Sequence, residues 1–145
     1  MYYEQHELVA ALKKATHELD MRARWLGEYQ RGFNDCFAFL ALYDEYLSGK
    51  SRAFDKVDFH WNTTREFVGK LYKAGYTIPS YLEYCGFEIV KNKRPILGDV
   101  GFMNGAMISN GSSWVSTNEH NHGVMPYKQM FYYEHDMVIA RPTRS

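Results

Sequence analysis

Leu8, Leu12, Ala15, Leu19 and Leu26 follow one another at spacings of four, three, four and seven, with Glu7, Lys13, Lys14, Glu18 and Arg22 between them. Such spacing lays one apolar stripe along an amphipathic helix. Gly27 is placed to stop that helix and Gly32 to turn the chain. Asp35, a good N-cap, opens a second helix through Phe37, Phe39, Leu40, Leu42, Tyr43, Tyr46 and Leu47 to Gly49. Apolar groups lie nearly all round it until Asp44 and Glu45, so the pattern predicts a central, mostly buried element. A polar loop, residues 48–58, follows. Thr63 with Glu66 has the form of a capping box ahead of Phe67, Val68, Leu71 and Tyr72, and Gly75 closes that helix. Pro79 opens a short helix through Tyr81, Leu82 and Cys85, which Gly86 ends.

Beyond residue 86 the period falls from about 3.6 to 2. Phe87-Glu88-Ile89 alternates, and Gly98-Asp99 leads into a strand from Val100 to Met103. Asn104-Gly105 and Asn110-Gly111 are two-residue hairpin signals of the type I′ kind. They predict an antiparallel meander of strands 100–103, 106–109 and 112–117, to which Gly123 to Met125 and Met137 to Ala140 would add edge strands. Helices first and strands second is an α+β arrangement, a sheet covered on one face by helices. A single domain, 1–145, is expected: an amphipathic helix within 1–30, a helical half over 31–86 with Cys36 at a helix start, and an antiparallel sheet over 87–145.

Composition narrows the functional classes. The 145 residues carry 17 Lys+Arg against 17 Asp+Glu, and 46% are hydrophobic. Zero net charge without a basic block argues against nucleic acid as a partner. No apolar run reaches the ~18 residues of a membrane span, and Met1-Tyr2-Tyr3-Glu4-Gln5-His6 has no signal-peptide character. These features predict synthesis in a host cytoplasm. Cys36 and Cys85 are too few for a disulfide framework or a four-cysteine zinc site, and no cofactor or metal is expected.

The most suggestive tetrapeptide is Asn34-Asp35-Cys36-Phe37. A cysteine in the first turn of a helix lies among unpaired amides at the positive end of the macrodipole, which favours thiolate. The same position also suits a small core residue. Asp35-Cys36 opening a buried helix, with Gly98-Asp99-Val100 later opening a meander, resembles the NlpC-like, papain-fold cysteine hydrolases that cleave peptidoglycan peptides. The resemblance spans roughly residues 30 to 140. Gly105-Ala106-Met107-Ile108-Ser109-Asn110-Gly111 and Gly123-Val124-Met125-Pro126 are closer to a divergent branch encoded largely by tailed phages and prophages. The resemblance implies a papain-like fold, Cys36 as the ancestral nucleophile and a phage origin.

An active member of that family carries a histidine at the start of the second meander strand, where this chain reads Asn104-Gly105-Ala106. The nearest substitutes along the sheet are His120 and His122, in Asn118-Glu119-His120-Asn121-His122-Gly123, with His60 and His135 less well placed. Either of the first two would reach Cys36 only if their loop folded back over the helix start; otherwise they are solvated loop residues. Candidate catalytic residues are therefore Cys36, His122, His120 and Asp35. His120, His122 and Glu119 are too close in sequence to make a metal site without further ligands. Cys85, at a helix end, reads as a structural thiol, and Asp99 as a turn former.

The chain holds 12 Tyr, 9 Phe and 3 Trp residues, with Tyr127, Phe131, Tyr132 and Tyr133 crowded late and Tyr2 and Tyr3 at the start. Surplus tyrosine suits partner contact as well as core packing. Three functions follow. The preferred one is an accessory or structural phage protein, a virion or tail component with a decayed catalytic pair, contacting other virion proteins or itself through its aromatic surface. The second is a working cysteine hydrolase acting on peptidoglycan peptides, and the third a small host-factor-binding protein.

Overall fold

A computed structural model describes residues 1–30, 34–50, 64–91, 94–103, 105–117, 123–128 and 137–144. The described elements are helices α1 (Gln5–Leu26), α2 (Cys36–Ser48), α3 (Thr64–Lys73) and α4 (Ile78–Tyr84), then strands β1 (Phe87–Val90), β2 (Val100–Phe102), β3 (Ala106–Ser109), β4 (Ser113–Ser116), β5 (Met125–Lys128) and β6 (Val138–Pro142). Helices precede strands, and the strands form one antiparallel sheet in the order β1-β6-β2-β3-β4-β5. The chain is α+β, as its periodicity predicts.

Glycines end the first two helices as expected: Gly27 and Gly49 sit in the left-handed region, φ 74° and 80°, where a side chain would be strained. The buried stripe of α1 is Ala11, Leu12, Ala15, Leu19 and Ala23. It shares its centre with the predicted stripe, while Leu8 and Leu26 fall at its margins. Along α2 burial continues from Cys36 to Leu40 and from Leu42 to Asp44, so the helix is central, and Asp44 lies inside rather than marking a polar face. Thr63 of the Thr63–Glu66 box and most of the 48–58 loop lie outside the described residues, while Glu66 stands in the first turn of α3. Helix α4 starts one residue earlier than Pro79, capped by Thr77, whose hydroxyl accepts the Ser80 N–H.

Three details of the sheet differ from the sequence expectation. The pairing Phe102↔Ala106 leaves three residues, 103–105, between β2 and β3, so Asn104-Gly105 is not a two-residue turn. In the next hairpin Ser109 pairs with Trp114 and the Asn110 N–H donates to the Ser113 carbonyl, which puts Gly111-Ser112 at the centre. Asn110 precedes the turn: its Oδ1 accepts from the Ser112 and Ser113 amides, and Gly111, φ 102°, takes the positive-φ position. Finally, β6 is not an edge strand but inserts between β1 and β2. Its alternation places Ala140 on the helix side between Ile89 and Val100, and its Arg141 pairs with buried Asp99.

Register assigns the two faces. Ile89, Ala140, Val100, Ile108 and Val115 share the side that packs on α1 and α2. On the other side Trp114 and Ile139 are also buried, so this face is not bare. Gly101 makes that burial possible, because a Cβ there would come to 2.8 Å from the Trp114 ring and 2.5 Å from Met137 Cε.

Candidate functional site

Asp35 opens α2 from an extended conformation and accepts the Ala38 N–H at 2.9 Å through Oδ1, satisfying one of the orphan amides of the first turn. Asn34 fixes the approach: its amide nitrogen donates to the Glu28 carbonyl at 2.8 Å and its oxygen accepts the Gln30 N–H at 2.7 Å. Phe37 stacks on Phe67 of α3 with ring centroids 3.8 Å apart. Cys36 is thereby held at the helix start with 7% of its surface exposed.

The thiol faces the beginning of β3. Cys36 Sγ accepts the backbone N–H of Ala106 at 3.3 Å, and Ser116 Oγ donates to the Ala106 carbonyl at 2.7 Å, fixing that residue from both sides. A Cβ built on Gly105 would stand 3.2 Å from the sulfur, so a side chain at position 105 would point at the thiol. The sulfur thus receives one backbone amide at the helix start while remaining nearly out of contact with water. Position 105, beside the sulfur, holds a glycine, and a side chain there would require the thiol or the start of β3 to shift.

Of the expected site residues, the structure brings Cys36 and Asp35 together as neighbours at one helix start, with Asp35 acting as the cap. His120, His122, His60, His135 and Asn104 lie outside the described residues. The described residues that bracket the 118–122 segment are informative. Ser116 bonds Ala106 and pairs with Met125, so the β4–β5 connection leaves the sheet at the end that Cys36 faces. Its far side is tied to α1, where Asp20 Oδ1 accepts the Val124 N–H at 2.8 Å. No group of three His, Cys, Asp or Glu among the described residues could hold a metal ion.

Asp99 and Cys85 have structural surroundings. Asp99 is fully buried, meets Arg141 through two bonds of 2.8 and 2.9 Å, and accepts the Ile96 N–H at 2.9 Å. Its hydrogen bond raises the Arg141 pKa above the ordinary value. Tyr43 of α2 donates to the Gly98 carbonyl at 2.7 Å, and burial pushes its phenol pKa well up, helped by the Asp99 charge. Gly98-Asp99 is thus the joint between α2, β2 and β6. Cys85 caps α4 and is buried. Arg141, Tyr43 and Ser116 were not singled out in the sequence, because each acts on a residue that only the fold brings near.

On the α3–α4 side Phe37, Phe67, Tyr76, Tyr81 and Tyr84 form a run of ring contacts, while Phe131, Tyr132 and Tyr133 lie outside the described residues. Tyr72, Trp25, Tyr46, Tyr2 and Tyr127 are exposed. No helix among the described residues is long and apolar enough to cross a membrane. Comparison of the chain with protein families, with curated proteins and with solved structures gives no match.

Proposed function

We propose that the chain is an accessory or structural bacteriophage protein, a virion or tail component, built on an NlpC-like papain fold whose catalytic site has lost its sheet histidine. One observation carries this reading: position 105 points at the sulfur of a helix-start cysteine, and it holds a glycine. A positioned base contributes about 10² to 10⁴ in rate, so its loss from that place removes most of the turnover expected on an amide. The helix-start thiol against an antiparallel sheet is the arrangement the resemblance implies, and the phage assignment rests on the resemblance of residues 105–111 and 123–126.

The β4–β5 connection favours a second reading. It leaves the sheet at the Cys36 end and carries His120 and His122, so a hydrolase with a relocated base is the alternative.

Density-gradient purification of particles from a phage that encodes the chain, with quantitative immunodetection, tests the assembly role. A constant copy number per particle is expected. Restriction of the protein to infected-cell lysate would contradict the assembly role and favour a host-factor-binding function.

A further inference from the structure

A groove of about 480 Å³ runs between α1 and the loops at the far end of the meander. One wall is α1, from which Val9, Leu12, Lys13, Thr16, His17 and Asp20 line the groove; Leu97 and Asn110 supply the other. Asn110 follows β3 at the end opposite Ala106, whereas Asp20, elsewhere along the groove, is bonded to Val124 just ahead of β5; Cys36 is not among the residues that line it. Its volume falls in the range of small-molecule sites.

Charges stand at two separated points on α1. Lys13 is exposed and makes no ion pair or hydrogen bond among the described residues. Asp20 is held in place, because its Oδ1 accepts the Val124 N–H at 2.8 Å. Seven residues of helix separate the two by about 10 Å. Leu12, beside Lys13 on the helix, and Leu97 on the opposite wall are apolar, and His17 stands between the two charged positions. Leu97 is backed by the β3–β4 turn, since a Cβ on Gly111 would lie 3.7 Å from it. Thr16 offers a hydroxyl, and Asn110, whose oxygen is already used by the Ser112 and Ser113 amides, offers its NH₂.

We infer that this groove binds a short extended peptide with free termini, its carboxylate at Lys13, its ammonium at Asp20 and its apolar side chains over Leu12 and Leu97. An extended chain advances about 3.3–3.6 Å per residue, so about three residues match the helix rise between positions 13 and 20. Thr16 and Asn110 then serve the peptide backbone, whose polar groups need partners once water is displaced.

Isothermal titration calorimetry of the full chain with Leu-Ala-Leu, its N-acetyl form and its C-terminal amide tests this. The free tripeptide is expected to bind one to one, and each cap to weaken binding about ten-fold, the scale of a charge-assisted bond. Lys13→Ala should show the same loss for the free peptide and no further loss on amidation. Asp20→Asn, which keeps an oxygen for Val124, should behave likewise towards acetylation, and Cys36→Ala should bind as the parent does. No saturable binding at millimolar peptide, equal affinity for the capped forms, or unchanged selectivity in Lys13→Ala would overturn the inference. Loss of binding in Cys36→Ala would do the same by moving the site to the thiol.

Discussion

The sulfur of Cys36 lies close to the place where a side chain on Gly105 would begin, which leaves little room at that position. At 3.2 Å, the Cβ of an alanine at position 105 would be tighter against Cys36 Sγ than nearly all real contacts, so the thiol or the start of β3 must give way. Gly105→Ala is expected to lower stability by about 1–3 kcal/mol, the usual cost of overpacking. The same substitution in a Cys36→Ala background should cost clearly less, because the opposing atom is gone; urea unfolding of the four chains measures that coupling. Equal costs in both backgrounds would mean that the two residues do not touch. Tyr43 yields a second prediction. Its pKa is raised by burial above the ordinary 10.0, so the folded chain keeps a proton that the unfolded chain releases as the pH passes about 10. The stabilisation is complete below that pH and declines as pH rises towards the folded-state value. Tyr43→Phe should cost about 1 kcal/mol at neutral pH, from the lost bond to Gly98, and show a shallower alkaline decline in unfolding free energy.

Among the elements, β6 is the one on which the sheet depends most, because it lies between β1 and β2 and carries Arg141 to the buried Asp99 carboxylate. Replacing Arg141 with Met leaves that carboxylate without its cation, and a loss of about 3–5 kcal/mol is expected by urea unfolding. A change below about 1 kcal/mol would show that the pair does not join the two strands. This central position was not legible in the sequence. The pair spans 42 positions, and nothing local to Met137–Ala140 distinguishes an inner strand from an edge. Local signals did better: the Asp35 cap, the glycine stops and the apolar girth of α2 each act within a few residues and are found where periodicity put them. Turn registers slipped by a residue because an Asn-Gly pair serves either as the turn centre or, as at Asn110, as its leading Asx position. The site was legible by half. Cys36 was marked by its helix start, whereas its contact with Gly105 and Ala106 depends on a pairing of α2 with β3 that periodicity does not encode.

The molecule as a whole joins its two ends. Tyr2 bridges Thr143, the Arg144 N–H donates to the Met1 carbonyl at 2.7 Å, and Arg144 forms an ion pair with Glu7. Helices and sheet together hold the thiol at the end of the sheet where the β4–β5 connection also leaves. The proposed loss of function follows from what faces the sulfur in that arrangement. Release of soluble muropeptides from purified peptidoglycan, compared between the parent chain and Cys36→Ala, tests this most directly. The account predicts the same background release from both. Release by the parent that disappears in Cys36→Ala would contradict it and identify a working hydrolase.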